Sequence, residues 1–286
     1  MLDKLKITVL AENSVPHKSP LLGQHGVSFW LEAKRGATER RFLVDVGQYP
    51  DALLFNAAAL GVPLEEADAV VLTHCHYDHT GALAPVLRAI GREELPVIAH
   101  PGLFRHNFVT APFFRHLGMR NGNQPDEIRT SGGRLVLARD ALELMPGLST
   151  SGEIPRVTYF EEVVTARRTL DETGHVAPDP MPDEIAVKAG IEGKGVVILT
   201  GCSHPGIVNI LKHTTTPSDK ILGIIGGLHL VDASDERIEK TVSALAGFTP
   251  ALLATGHCTG RKAEAAFSAR FGDRAAALGP GTVFEF

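Results

Sequence analysis

The sequence is poor in cysteine, with three residues in 286, and it contains one tryptophan. Three cysteines cannot form the set of cross-links that holds small secreted domains together. There is no uninterrupted apolar run of 18 residues, and the opening MLDKLKITVLAENS lacks the apolar block and cleavage site of a signal peptide. These absences exclude a disulfide framework, and they predict a cytoplasmic protein without a membrane span.

Positive charge is not in excess either, because 28 lysines and arginines face 33 acidic residues, giving a formal net charge of −5. A chain with this balance has no long-range field to attract polyphosphate chains, which disfavours general nucleic-acid binding. It does not disfavour a small anionic substrate. The apolar content of 44% is sufficient for one large domain with a substantial core.

Apolar runs and helical patterns alternate along the chain, as is typical of a layered α/β protein. Between about residues 101 and 182 this alternation is replaced by phenylalanines, arginines and Gly/Asn/Pro-rich segments, which predicts an inserted subdomain within a single domain of residues 1–286. Its Phe113, Phe114 and Arg115 are interpreted as a lid over the site or as ordinary subdomain core. Strands are predicted at 6–10, 27–33, 41–47, 69–73, 95–100, 195–200, 220–226 and 250–255.

Four predicted buried strands are each followed by a turn that contains histidine. The turns have the sequences THCHYDH, GCSHPG, GGLHL and TGHCTG, and a helical pattern follows each of them. Ligand sites in α/β sheets lie outside the carboxyl ends of the strands. The four turns are therefore expected to meet at one site.

The first turn has the spacing of a metal-binding loop. Alternate residues of an extended segment point the same way, so His74 and His76 are expected to bind one ion. The following turn then directs Asp78 and His79 at a second ion, where the Asp78 carboxylate also holds a reactive water. A structural or surface histidine loop is the competing interpretation, and this spacing after a buried strand disfavours it.

The motif THCHYDHTG resembles the metal-binding signature of the metallo-β-lactamase superfamily, and RFLVDVG before it resembles that superfamily's first motif. The resemblance implies a four-layer αββα sandwich, an α/β fold with a dinuclear metal site at one edge. It also implies that Asp45, at the end of RFLVDVG, supports the metal loop without binding the metal.

Five further segments resemble one subgroup of this superfamily, the 7,8-dihydropterin-6-yl-methyl-4-(β-D-ribofuranosyl)aminobenzene 5'-phosphate synthases. The resemblance implies the joining of a dihydropterin pyrophosphate to a ribofuranosylaminobenzene phosphate with loss of pyrophosphate. The segments are STSGEIPRVTYFE, MPDEIAVK, LTGCSHPGIVNI, GGLHL and TGHCTG.

The chain departs from the commonest superfamily pattern at two ligand positions. The usual third histidine is absent, and SGEIPR with Glu153 stands in its region. Cys202 occupies the place of the aspartate that bridges the two metals, and His204 is close enough to supply the missing imidazole. Both are predicted to be metal ligands; the alternatives are Glu153 as the ligand, and Cys202 as a small buried residue that closes a strand.

The remaining motifs supply three more candidate site residues. His257 resembles the final superfamily motif and is predicted to complete the second metal position with Asp78 and His79. His229 is a candidate general acid, with an additional metal ligand or a core histidine as alternatives. Arg156 is a candidate for binding an anionic substrate group, with a surface ion pair as the alternative. Cys75 and Cys258 are interpreted as packing residues.

Three functions are compatible with these residues. The first in rank is a hydrolase in which two divalent ions, zinc or else iron or manganese, activate a water that attacks an ester or phosphoester. The second is the condensation named by the subgroup, with a pterin-like and phosphorylated substrate; the fold alone does not fix the reaction. The third is a metal-dependent binding or sensing protein without catalysis, which the intact first cluster disfavours.

Overall fold

Two seven-stranded β-sheets form the frame of the protein, seen in a computed structural model that describes residues 1–161 and 166–286. In chain order the strands are β1 (Lys4–Ala11), β2 (Ser28–Arg35), β3 (Thr38–Val44), β4 (Ala69–Val71), β5 (Leu95–Ala99), β6 (Phe108–Val109), β7 (Arg115–His116), β8 (Gly133–Leu137), β9 (Glu143–Met145), β10 (Leu148–Thr150), β11 (Arg168–Leu170), β12 (Val176–Pro178), β13 (Val187–Ile191), β14 (Gly195–Thr200), β15 (Ile221–Gly227), β16 (Leu253–Gly256), β17 (Ala275–Ala277) and β18 (Val283–Glu285). The helices are α1 (Pro50–Ala59), α2 (Tyr77–Thr80), α3 (Leu83–Ile90), α4 (Pro125–Thr130), α5 (Ile207–Thr214), α6 (Asp235–Phe248) and α7 (Arg261–Phe271).

Each large sheet is antiparallel in one half and parallel in the other. The first has the order β18-β1-β2-β3-β4-β5-β8, and its strands run parallel from β3 to β8. The second has the order β17-β16-β15-β14-β13-β10-β9, and its strands run parallel from β17 to β14. The first three strands, predicted at 6–10, 27–33 and 41–47, pair with their sequence neighbours as an antiparallel meander.

The core is divided into three apolar clusters, one between the sheets and one on the outer face of each. Alternating side chains explain the division: Val197 of β14 points into the cluster between the sheets, and Ile198 points into the outer cluster. Helices α1 and α3 cover the first sheet, and α5, α6 and α7 cover the second. This arrangement confirms the predicted four-layer αββα sandwich.

Helix ends follow local sequence signals. Helix α3 ends at Gly91, whose φ of +70° is a left-handed conformation that suits glycine. Helix α6 begins after Ser234, whose side chain accepts a hydrogen bond from the backbone N–H of Arg237. Among the helices of the described ranges, none has the length and apolar character needed to cross a membrane.

A third, four-stranded sheet of order β12-β11-β6-β7 comes from the region predicted to be an insertion. The prediction of one block over residues 101–182 needs correction, because β8 joins the first large sheet and β9 and β10 join the second. The third sheet is therefore assembled from two segments, around 105–117 and 167–179, that are separated by core strands. The description of residues 1–286 as one domain stays a prediction.

Candidate metal centre

The parallel halves of both sheets place their carboxyl ends at one edge of the sandwich, and the predicted site residues lie there. On the first sheet, β3 leads to Asp45 and β4 leads to His74. On the second, β14, β15 and β16 lead to Cys202, His229 and His257 respectively.

Three histidines form the first group of potential ligands. His74 Nε2 and His204 Nε2 lie 3.1 Å and 3.2 Å from His76 Nδ1, and all three side chains are buried. The three nitrogens are mutually close enough to bind one ion. Three imidazoles that converge in this way form the donor set preferred by zinc and similar ions.

The second group surrounds His79. Its Nε2 atom lies 3.1 Å from His257 Nε2, 3.2 Å from Cys202 Sγ and 3.6 Å from Asp78 Oδ2. Cys202 and His79 are also within ligand range of His74, which joins the two groups. The seven predicted ligands thus lie in two adjacent groups, and their donor types fit two divalent ions.

His25 adds a potential donor that had no motif to identify it. Its Nε2 atom lies 3.3 Å from Asp78 Oδ2, and its side chain is half exposed. His25, Asp78 and His257 together are close enough to hold an ion. The loop between β1 and β2 that carries His25 is remote in sequence from the other turns, so spacing could not reveal it.

Two of the clustered histidines are oriented from the first sheet. His79 Nδ1 donates to Asp45 Oδ2 over 2.7 Å, and His74 Nδ1 lies 3.0 Å from Thr73 Oγ1. Asp45 also accepts from the backbone N–H and the hydroxyl of Thr73. Each ring therefore turns its Nε2 atom toward the cluster, and Asp45 has the supporting position that the family resemblance implied.

Two asparagines orient the other rings in the same way. His76 Nε2 lies 3.1 Å from Asn107 Oδ1, which leaves Nδ1 to face the cluster. His257 Nδ1 lies 3.0 Å from Asn13 Oδ1, which leaves Nε2 to face it. Sequence reasoning missed both asparagines, because they come from loops that carry none of the motifs.

A buried carboxylate supports the turn that carries Cys202 and His204. Glu184 accepts from the backbone N–H groups of Cys202 at 3.0 Å and of His204 at 2.6 Å, and also from that of Ser203. Burial raises the pKa of Glu184 to about 8, although the three N–H donors favour its charged form. Glu184 lies in the MPDEIAVK segment, so the family resemblance had marked its position but not its role.

Backbone strain is concentrated at the same strand ends. Asp45, Ser203, His229 and His257 have φ values of 56°, 63°, 46° and 53°, in the left-handed region that disfavours side chains with a Cβ. Such conformations cost about 1–3 kcal/mol each and persist where the surroundings fix them. Their concentration at these turns indicates a functional site.

The charge state of the metal-free cluster is mixed. Burial lowers the pKa values of His74, His76 and His204 well below 6.5, so these rings are neutral. Burial also acts against protonation of His79, but Asp45 and Asp78 outweigh it and raise the pKa of His79 to about 9. Although buried, Asp78 has its pKa held well below the ordinary value by the histidines around it.

His229 lies beside the cluster, between His204 and Arg167. Its ring centroid is 4.1 Å from that of His204, and its Nε2 atom is 3.0 Å from Nη2 of Arg167. Because a guanidinium only donates hydrogen bonds, His229 Nε2 is the acceptor in this contact, and Nδ1 is buried without a hydrogen-bond partner among the described residues. The general-acid role of His229 stays a prediction. Cys258 lies close enough to Cys202 and His229 to share an ion with them, so it is nearer the site than a packing residue would be.

Arg156 and Glu153 have partners other than those predicted. Arg156 donates to the backbone carbonyls of His204 at 2.9 Å and Pro180 at 2.8 Å, so it braces the His204 turn. Within the part of the chain that the structure describes, it forms no surface ion pair. Glu153 pairs with His100 at 3.2 Å and with Arg139 at 2.9 Å. His204 lies with His74 and His76, whereas Glu153 belongs to none of the potential ligand groups among the described residues. The geometry therefore favours His204 over Glu153, and its role as a ligand stays a prediction.

The fold, the two groups of ligands and their supporting residues together define the class of the protein. The family model described as the metallo-beta-lactamase superfamily matches residues 23–257. The chain belongs to this superfamily.

Among the relatives, a Methanocaldococcus jannaschii protein named 7,8-dihydropterin-6-methyl-4-(beta-D-ribofuranosyl)-aminobenzene-5'-phosphate synthase is 39% identical over 99% of this chain and 97% of its own. A crystal structure of a metal-dependent hydrolase of the beta-lactamase superfamily has a TM-score of 0.79 at 25% identity, covering 99% of both chains. The metallo-beta-lactamase fold protein YhfI from Bacillus subtilis has a TM-score of 0.57 at 14% identity, covering 99% of this chain and 100% of its own. The chain thus belongs to a family of enzymes. The named synthase is similar to it over nearly the full length of both chains.

Proposed function

We propose that this chain is a metal-dependent synthase that joins a dihydropterin pyrophosphate to a ribofuranosylaminobenzene phosphate and releases pyrophosphate. The observation that carries the proposal is the 39% identity to the named synthase, which extends over 99% of the chain. It favours this condensation over the ester or phosphoester hydrolysis that the motifs alone ranked first. The substrates are small and phosphorylated, in agreement with a chain that lacks a general basic field.

The proposed metal ligands are those that the geometry groups together. His74, His76 and His204 would hold one divalent ion. Asp78, His79, Cys202 and His257 would hold the other, with zinc as the first candidate and iron or manganese as alternatives. Bound ions of this kind would stabilise the negative charge that builds up on a departing pyrophosphate.

The chain's own residues would contribute orientation and charge. The condensation forms a bond from the aromatic amine nitrogen to the pterin methylene carbon as the carbon–oxygen bond to pyrophosphate breaks, and the amine loses a proton. Asp45, Thr73 and Asn107 keep the histidine rings fixed during this exchange. Arg156 fixes the His204 turn through its carbonyl; direct substrate binding by Arg156 stays a prediction.

Hydrolysis of an organic pyrophosphate or ester is the second candidate, favoured by the structural likeness to a metal-dependent hydrolase at 25% identity. The two candidates differ in the acceptor, which is the amine in one case and water in the other. A hydrolase would release pyrophosphate or phosphate from the pterin substrate alone. The synthase would require both substrates.

The deciding experiment incubates the metal-loaded protein with the pterin pyrophosphate, with and without the aminobenzene substrate, and measures pyrophosphate release and coupled product by mass spectrometry. We expect product and pyrophosphate in equal amounts only when both substrates are present. His76→Ala should abolish the reaction, whereas His175→Ala, which changes an exposed histidine, should not. Release of pyrophosphate without coupled product would instead establish hydrolysis.

A further inference from the structure

Arg167 is a cation beside the histidine cluster that no anion balances within residues 1–161 and 166–286. Arg167 lies just before β11 in the third sheet, and its carbonyl accepts hydrogen bonds from Asp179 N and Arg168 Nη1. Among the described residues, no carboxylate lies within ion-pair distance of its guanidinium. The third sheet thus holds a positive charge over the carboxyl ends of the second large sheet.

Within the described chain, this guanidinium is only partly satisfied by hydrogen bonds. Nη2 lies 3.0 Å from His229 Nε2, and Nε is buried without a hydrogen-bond partner. A buried donor without a partner destabilises the folded protein, and the effect is larger when the donor is charged. An anionic ligand that accepts from Nε and Nη2 would remove this cost.

The other arginines around the site are already engaged. Arg105 pairs with Asp179 at 2.9 Å and Asp183 at 2.6 Å. Arg156 uses both terminal nitrogens on backbone carbonyls. Of these three arginines, Arg167 is the one whose adjacent Nε and Nη2 donors can both reach a ligand.

The position of Arg167 is suited to a ligand that also reaches the metal ligands. His229 contacts the guanidinium through Nε2, and its ring lies against the ring of His204 with 4.1 Å between centroids. One imidazole therefore separates Arg167 from the first metal group. A pyrophosphate is long enough to span such a gap, and the planar fork of arginine matches two phosphate oxygens.

We propose that Arg167 is the substrate-binding residue that holds the pyrophosphate of the pterin substrate, with His229 positioning its guanidinium. The inference rests on the proposed function for the identity of the substrate, but the anion site itself does not. The proposal places the specificity for a pyrophosphate in the third sheet, in addition to the anion-binding role predicted for Arg156.

The test measures binding of inorganic pyrophosphate to the metal-loaded protein by isothermal titration calorimetry. Arg167→Gln should weaken binding by roughly 10- to 100-fold, the loss typical of a charge-assisted hydrogen-bonded pair. Arg167→Lys, which keeps the charge but loses the fork, should give a smaller loss. Arg129→Gln, on the exposed surface of α4, is the matched control and should bind as the unchanged protein does.

Metal content and the thermal unfolding midpoint show whether each variant is folded and loaded. The proposal is wrong if Arg167→Gln binds pyrophosphate as tightly as the unchanged protein. If Arg167→Gln does not fold, the same criterion applies to Arg167→Lys. Steady-state kinetics add a second readout, in which KM rises for the pterin pyrophosphate and not for the aminobenzene substrate. If pyrophosphate binding depends on Arg167 but the protein does not catalyse the condensation, the proposed anion site is supported and only the proposed function is wrong.

Discussion

At the residue scale, the site depends on the two nitrogens of each histidine ring having different partners. In His74, His76, His79 and His257, one ring nitrogen faces the cluster and the other meets an oxygen of the chain. This arrangement fixes the tautomer and the ring orientation before any ion arrives. The orientation of the predicted metal ligands is thus set by residues that are not themselves predicted ligands.

Cys202 is the residue whose role most needs a measurement. We expect the cobalt-substituted protein to show a thiolate-to-metal charge-transfer band, because Cys202 Sγ lies 3.2 Å from His79 Nε2. The band should disappear in Cys202→Ser, and metal affinity should fall by roughly 10-fold or more. Near-ultraviolet absorption during cobalt titration provides the measurement.

Cys75→Ala is the matched control for this experiment, since Cys75 is equally buried but belongs to the apolar cluster under α1 and α3. It should keep the band. Persistence of the band in Cys202→Ser would contradict the assignment and would identify Cys258, the other thiol near the site, as the ligand.

Site residues could be predicted from the sequence where they belong to a recognisable motif. They could not be predicted where only a tertiary contact brings them to the site. His204 was found because its turn stands where a superfamily ligand is expected. Asn107, Asn13 and Arg167 were missed because their loops contribute one side chain each, and only the folded chain brings them to the cluster.

At the scale of elements, the close approach of two strand ends limits what the turns tolerate. Gly201, directly after β14, faces Thr73 at the end of the first sheet's parallel half. A Cβ at Gly201 would overlap Thr73 Oγ1 and lie 3.0 Å from Asp45 Oδ2. The two sheets therefore meet at this glycine, next to the residues that support His74 and His79.

We expect Gly201→Ala to lower the free energy of unfolding by about 2–4 kcal/mol and to reduce metal binding, because the clash displaces Thr73 and Asp45. Denaturant unfolding and metal analysis after dialysis would measure both effects. Gly247→Ala in α6 is the control, since nothing lies within 4 Å of its added methyl group. That change should leave metal binding intact and raise stability by up to about 1 kcal/mol. Equal stability of the two variants would contradict the close approach.

The elements themselves were largely predictable. Hydrophobic runs such as GVVILT and KILGIIG correspond to β14 (Gly195–Thr200) and β15 (Ile221–Gly227), because a strand buried on both faces has few polar residues to interrupt it. The inserted region was not predictable in the same way. Its strands are two to five residues long, and their pairing with the large sheets depends on contacts remote in sequence.

At the scale of the whole molecule, the buried histidines make the stability of the metal-free protein depend on pH. His74, His76 and His204 have pKa values below 6.5 when folded, so the unfolded chain binds more protons than the folded chain in acid. Their contribution to stability is present above pH 6.5 and is lost as the pH falls. His79, with its raised pKa of about 9, and Glu184, with its raised pKa of about 8, act in the opposite direction and offset only part of the loss.

We therefore expect the free energy of unfolding of chelator-treated protein to fall by roughly 2–4 kcal/mol between pH 7 and pH 5. Urea unfolding at a series of pH values would measure it. His76→Gln should flatten the dependence, and His175→Gln, at an exposed position, should keep it. A stability that is constant over this range would show that the three rings are not held neutral.

The two-part origin of the third sheet has a consequence for protein engineering. Its segments around 105–117 and 167–179 carry Asn107 and Arg167 to the site, while β8, β9 and β10 between them complete the large sheets. With Arg167 in its proposed role, the substrate preference cannot be moved between relatives as one continuous segment, because cutting out residues 101–182 would also remove strands of the two large sheets. A chimera has to exchange the two segments together and leave residues 133–150 in place.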